Sequence, residues 1–299
     1  MSAPAHRPYL AIGLRLSAAV LLAAMVVLVK LAGEAGATLP EILFWRQGVT
    51  IPCLFGWMAL ARRTELLHTR RAWVHGRRAV LGLSSMTLLF GATALLPLAE
   101  LTTLTFAGPL FAVILSALIL RERVGPWRWG AVTLGFVGVV VVAQPGESVL
   151  PALGVAMGSA AAMLNGLITV QVRDLGRTEH PLTTVLLFSC FSMVVLVPLM
   201  VLYGRGHPPQ VWAMLLGIGV LGMLGQIGLT AALRFGAVAT VTVMDYTSLI
   251  WTALAGWLVW NHLPPLTTWL GAPLIVAAGL VVLWRERILM VERAKELAA

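Results

Sequence analysis

Polar side chains are so scarce along most of this chain that those lying inside its apolar runs can be named one by one. The densest group is Asp245-Tyr246-Thr247-Ser248, with Trp251 one helical turn further on. Two amides, Asn165 and Gln226, stand mid-run in the second half, and Ser85 and Thr105 supply hydroxyls in the first. Glu100 opens an apolar run that Gly108-Pro109 interrupts. None of these spacings is that of a catalytic machine: there is no HExxH, no Gly-x-Ser-x-Gly, no metal-spaced Cys/His set and no paired-aspartate phosphotransferase pattern. No catalytic or metal-ligating residue, and no cofactor, is therefore expected. Binding is the chemistry left to them. An amide in mid-bilayer must find a partner, either on a neighbouring helix or in a polar ligand held in a wet cavity.

Each candidate has a structural reading beside the functional one. Asp245 is the one acid placed well inside a run, which makes it a functional candidate by default. Yet Thr242-Val243-Met244-Asp245 also fits a capping box, with the helix starting at Thr242 and Asp245 in its first turn. Pro109 removes a backbone hydrogen bond, so a kink near Thr105 is expected, either purely structural or exposing carbonyls to ligand. Arg15 and Lys30 lie near the two ends of the first run, within snorkelling reach of water. Arg46 is deeper, ~9 Å from Pro40 by helix rise. It can pair with Glu41 or Glu34, or bind a carboxylate. All six histidines are assigned to termini or loops. With Asp245 capped and Glu100 near water, facilitated diffusion is expected rather than obligatory proton exchange. The expected lining of a substrate cavity is Asn165, Gln226, Tyr246, Trp251, Thr105 and Ser85, with Asp245, Glu100 and Pro109 as coupling or gating candidates.

These residues need a membrane to position them. The chain is 59% hydrophobic and 11% charged, with mean hydropathy +0.92, against ~25% charged in a soluble domain. Ten segments reach or approach the ~20 apolar residues of a spanning helix: 9–31, 40–61, 79–97, 100–120, 129–144, 152–172, 181–203, 211–233, 239–260 and 265–284. The first is too long for a cleaved signal peptide and reads as a retained helix. With the N-terminus in the cytoplasm, 17 of the 21 Lys and Arg residues fall on the cytoplasmic side and one, Arg205, outside. That bias places both termini in the cytoplasm, and it explains the net charge of +9 without a nucleic-acid partner. Cys53 and Cys190 sit in apolar runs and are expected as small buried hydrophobes.

The second half repeats the first. Glu100–Leu120, salted with Thr102, Thr103 and Thr105, recurs as Val238–Trp260 with Thr240, Thr242, Thr247 and Thr252. Gly130 and Gly138 recur as Gly271 and Gly279, and Ala94-Leu95 with Ala99 recurs as Ala232-Leu233 with Ala237. The boundaries drawn are 1–148 and 149–299. Five helices per half is an odd number, so the second copy enters the membrane from the opposite side, a recurrent plan for alternating-access carriers. The small-residue stripe Gly154, Gly158, Ala162, Gly166 and the glycines of segment eight read as close helix packing. The expected fold is an all-α integral membrane protein of ten transmembrane helices in two inverted five-helix repeats.

Those motifs, with the Arg121-Glu122-Arg123 knot and Trp129-Gly130, resemble the drug/metabolite transporter superfamily, specifically its EamA-type ten-helix carriers. The size and the arginine-rich second loop are most similar to YddG-type amino-acid exporters. The resemblance covers nearly the whole chain. It implies a bacterial inner-membrane exporter of amino acids, aromatic ones among them, or related small metabolites, with no ATP hydrolysis. Another cargo on the same fold, such as a drug, is the alternative, and a membrane enzyme is a weaker one. The partners expected are a small-molecule substrate and the lipid bilayer, with the chain a monomer and a dimer as the alternative. One departure is Asn261-His262, standing where many relatives repeat the acid of the knot.

Overall fold

The computed structural model describes residues 8–119, 125–143, 150–235 and 244–296, and among them there are helices, turns and loops but no strands. In chain order the α-helices are α1 (Pro8–Glu34), α2 (Leu39–Gly48), α3 (Thr50–Leu60), α4 (Ala72–Thr93), α5 (Leu98–Thr105), α6 (Gly108–Ile119), α7 (Pro126–Ala143), α8 (Ala152–Leu175), α9 (Pro181–Tyr203), α10 (Pro209–Phe235), α11 (Ser248–Trp260) and α12 (Leu266–Glu296). They make the ten crossings of a two-repeat membrane fold, two of them broken. Five (α1, α8, α9, α10 and the apolar stretch of α12) cross a membrane by length and composition. The two breaks follow prolines. Pro52 gives no N–H to the carbonyl of Gly48, and the second crossing divides at Val49 into α2 and α3. Pro109 does the same to Thr105, and the fourth divides at Phe106-Ala107 into α5 and α6. The Thr105 hydroxyl turns back to donate to Thr102 O at 2.7 Å.

Three boundaries differ most from the sequence reading. The third helix begins at Ala72, not 79, which takes His75, Arg77 and Arg78 out of the loop and into the helix. The ninth crossing has a single 3-10 turn, Met244–Thr247, before α11. Thr242, the expected cap, lies outside the described residues, as do Glu122 and its flanking arginines. The tenth continues as helix to Glu296. Cys53 is exposed rather than buried, and both cysteines are free thiols. The outward faces carry large apolar side chains such as Val194, Val201 and Ile250, all more than 60% exposed, as helices bordering hydrocarbon do.

Packing partners are exchanged between the halves. The first helix of the first half, α1, lies along the third crossing of the second, α10; the first helix of the second half, α8, lies along the third crossing of the first, α4. Equivalent helices also meet, α2 with α9, α5 with α11, and α7 with α12, and the second crossing of each half touches the third of the other, α2 with α10 and α9 with α4. A two-fold relation between repeats produces this set. Small residues let these backbones meet. On α10, a Cβ at Gly219 would come within 2.7 Å of Trp45 O, and one at Gly228 within 3.1 Å of Leu14 O. On α8, Gly154 and Gly158 face Leu96 and Leu101 across similar gaps. Both glycine series therefore pack helices, as their spacing suggested.

A reciprocal close approach joins α7 and α12. A Cβ on Gly138 would lie 2.8 Å from Gly271 O, and one on Gly271 would lie 2.7 Å from Gly138 O. Backbone cannot swing aside as a side chain can, so Gly138→Ala and Gly271→Ala should each cost ~1–3 kcal/mol through overpacking, even though alanine favours helix. Gly130→Ala, with nothing within 4 Å, is the control and should be neutral or stabilising by up to ~1 kcal/mol. Thermal unfolding in detergent of the three variants measures this; equal Tm for all three would refute the close approach.

Candidate functional site

A cavity of about 400 Å³ lies between the two halves, walled by residues of α1, α2, α4, α5, α6, α8, α10, α11, α12 and the 3-10 turn. Much of the wall is apolar, including Leu22, Met25, Met86, Leu89 and Phe90. The polar groups are few and come from both halves. Ser85 on α4 donates to Asn165 Oδ1 on α8 at 3.1 Å. Gln226 on α10 accepts from Arg46 Nη2 on α2 at 3.1 Å. Thr105 and Pro109 face the same space at the broken fourth crossing. Tyr246 stands edge-on to Phe106, ring centroids 4.9 Å apart, and its buried hydroxyl has no hydrogen-bond partner among the described residues.

Of the residues singled out in the sequence, seven line this cavity: Ser85, Thr105, Pro109, Asn165, Gln226, Asp245 and Tyr246. Two do not. Trp251 is 40% exposed and lies outside the lining. Glu100, placed near water by its position at the start of a run, is 1% exposed. Its carboxylate meets His262 Nε2 at 3.3 Å and Thr268 Oγ1 at 3.5 Å. Around it, Lys30 donates to Leu96 O at 2.9 Å and sits 5.5 Å over the Trp260 ring, and Trp260 Nε1 donates to Glu34 at 2.9 Å. This polar cluster ties the C-terminal end of α1 to α5, α11 and α12.

Arg15 and Asp245 are corrected together. Arg15 does not snorkel to water: it is 9% exposed and reaches across the cavity wall, where its Nε and Nη2 hold both carboxylate oxygens of Asp245. Asp245 thus serves a guanidinium of the other half, while the Thr242 end of its capping spacing lies outside the described residues. A planar guanidinium facing a carboxylate in this two-pronged way is the strong form of an ion pair. It ties the N-terminal part of α1 to the turn before α11, at the opposite end of α1 from the Glu100 cluster.

Arg46 is the second correction. It bonds neither Glu41 nor Glu34. Five residues put Glu41 about 140° around α2 from Arg46, and its carboxylate caps the helix, accepting from Thr38 N (2.7 Å), Arg205 N (2.6 Å) and His207 Nε2 (2.9 Å). Glu34 is taken by Trp260. Arg46, 1% exposed, instead has neutral acceptors: Gln47 Oε1 and Gln226 Oε1 at 3.1 Å each, and Gly222 O at 3.5 Å. Arg78 was missed altogether. Counted as a loop charge, it is 3% exposed on α4, faces the cavity, and lies over the Phe188 ring at 4.4 Å. The pattern of Arg70-Arg71 and Arg77-Arg78 reads equally as a basic loop. Only a helix start seven residues earlier would have exposed it.

The EamA-like transporter family model matches residues 9–144 and again residues 152–284. A pseudopaline exporter of Pseudomonas aeruginosa is 29% identical over 250 residues, which cover 82% of this chain and 87% of the relative. A riboflavin transporter of Vibrio cholerae is 30% identical over 235 residues, 75% of this chain and 76% of the relative. One solved crystal structure superposes with a TM-score of 0.62 at 20% identity, covering 92% of this chain and 98% of its own, a likeness of fold. The chain belongs to the EamA-like transporter family and is a multi-pass membrane transporter.

Removing one partner of the Arg15–Asp245 pair strands the other in a largely apolar wall. Asp245→Asn and Arg15→Gln should each destabilise the protein by ~2–4 kcal/mol, toward the loss seen on breaking buried pairs. The double variant should recover ~1–3 kcal/mol of the summed loss. Thermal unfolding of the four proteins in one detergent provides the cycle. Strictly additive losses would mean that the two side chains do not act as a pair.

Proposed function

We propose that this chain is an inner-membrane exporter of amino acids, aromatic ones among them, or of closely related small metabolites, working by alternating access between residues 1–148 and 149–299. The observation that carries this reading is the cavity between the halves, into which hydroxyl and amide groups of both halves converge. The proposed substrate contacts are Ser85, Thr105, Asn165, Gln226 and Tyr246. Trp251 is left out of that set because it stands outside the lining. A space of about 400 Å³ suits a small metabolite, and the relatives' names, pseudopaline and riboflavin, also point to small organic cargo.

Alternating access needs closures that exchange. The Arg15–Asp245 pair and the Glu100 cluster tie α1 to the second half at opposite ends. Opening one while the other holds would expose the cavity to one side at a time. In this reading Asp245 and Glu100 act as gate residues, and the break at Pro109 lets α5 and α6 move separately. The driving force is a gradient of substrate.

Two experiments test this. Proteoliposomes loaded with an unlabelled amino acid should accumulate the labelled one in counterflow, with no imposed pH difference. Gln226→Ala should cut that flux about tenfold, on the order of one charge-assisted hydrogen bond. Failure of every amino acid in the panel would overturn the cargo assignment. For orientation, single cysteines at Ala35 and Gly206 in a Cys53→Ser, Cys190→Ser background should label with an impermeant thiol reagent in intact cells. Cysteines at His68 and Arg177 should label only after lysis. The reverse pattern would overturn the placement of both termini in the cytoplasm.

A further inference from the structure

The charges on the cavity wall do not balance. Among the described lining residues are three guanidinium groups, Arg15, Arg46 and Arg78, and one carboxylate, Asp245. Arg15 consumes that carboxylate with both of its forward nitrogens. Arg46 and Arg78 are left facing the same space with no acid on either among the described residues. Both are more than nine-tenths buried. Arg46 has only neutral acceptors, and its Nε has none. Among the described residues, Arg78 has no hydrogen-bond partner for Nε or Nη1, and it rests on the face of Phe188.

The fold makes room for Arg78 in particular. A Cβ on Gly82 would lie 2.1 Å from Arg78 Nη1 and 2.7 Å from Phe188 Cε2. The guanidinium occupies the volume that any other residue at 82 would fill. Phe188 then holds it from behind by a cation–π contact, which attracts the charge without neutralising it. Two buried cations without a counter-charge are costly in a low-dielectric wall. A guanidinium also presents its free N–H groups in a plane that matches the two oxygens of a carboxylate or two of a phosphate. The missing negative charge has to arrive in the cavity.

We propose that Arg46 and Arg78 form a two-cation subsite, and that the favoured cargo is a small metabolite bearing two anionic groups, carboxylate or phosphate, one answered by each arginine. This rests on the reading of the cavity as the transport site. Asn165, Gln226 and Tyr246 then have the uncharged part of the molecule to recognise. A cargo with a single carboxylate satisfies one arginine and leaves the other stranded, so selection for the second charge follows from the site's own imbalance.

The test uses pairs in which one member has a second anionic group and the other lacks it: glutamate against glutamine and succinate against succinamate, which differ by one charge, and phosphoserine against serine, where a phosphate is added to the hydroxyl. Each is titrated against the full-length protein in lipid nanodiscs, with the shift in Tm giving the half-saturating concentration. The doubly anionic member should bind at least about tenfold more tightly in the carboxylate pairs, the phosphate pair or both. The three pairs together identify which anion the subsite prefers. In Arg78→Gln and in Arg46→Gln that preference should fall to within about twofold, while Arg78→Lys keeps part of it and Arg77→Gln, outside the lining, keeps all of it. Equal binding of both members in all three pairs by the unmodified protein overturns the proposal, whether or not the variants fold. So does a preference that survives both Arg46→Gln and Arg78→Gln. A charge preference without counterflow of any amino acid supports the subsite and removes the amino-acid cargo. Counterflow of neutral amino acids with no charge preference does the opposite.

Discussion

A charged side chain inside a bilayer has no water to fall back on, and every charge in this protein's interior is placed by that constraint. Hydrocarbon forces backbone groups into helices, and it forces each buried ionic group either onto a partner or into a wet cavity. Arg15 solves the problem with Asp245 across the repeat boundary. Glu41 does so at the start of α2, where two backbone amides' worth of capping and the His207 ring surround its carboxylate. Glu100 uses His262 and Thr268. Arg46 and Arg78 are the ones that turn to the cavity instead.

The second dependence is on close approach. With lipid as apolar as leucine, helices in a membrane gain little by hiding apolar surface and associate through packing contacts and hydrogen bonds. The glycines of α7, α8, α10 and α12 supply the packing. They bring α1 against α10 and α8 against α4, and this exchange between the halves is what leaves a cavity along their boundary rather than inside either one. Gly82 shows the same device used differently: space is held open for a charged side chain instead of for a second backbone. The broken crossings belong to this architecture too. At Pro109 the chain gives up helix continuity beside the cavity.

The number of crossings, their inverted repetition and membership of the EamA-type carriers were all legible in the sequence, because each is written in one-dimensional terms. Apolar run length against bilayer thickness marks a crossing. Spacing of glycines and threonines marks the repeat. A proline marks a break, and Thr105 with Pro109 fell where expected. Seven of the singled-out residues came together around one cavity for a related reason. A polar residue in mid-span has few places to go, and the interior between repeats is the chief one. Trp251 failed that logic because an aromatic ring is as content against lipid as against a ligand.

Tertiary structure alone decided which charges meet. Arg15 and Asp245 are 230 residues apart, and nothing local marks either as the other's partner; a capping spacing even offered Asp245 a rival role. Arg46 had Glu41 close in sequence, yet helix geometry turns the two to different faces. Arg78 read as one more arginine in a basic loop until the start of α4 carried it to the wall. Hydropathy registers how apolar a segment is, and that is a sum along the chain. Charge pairing depends on the direction of side chains on helices brought together by packing. The sequence by itself therefore determined the membrane, the repeats and the class of protein, while the ion pair, the cluster around Glu100 and the two unanswered arginines were settled only by the fold in three dimensions.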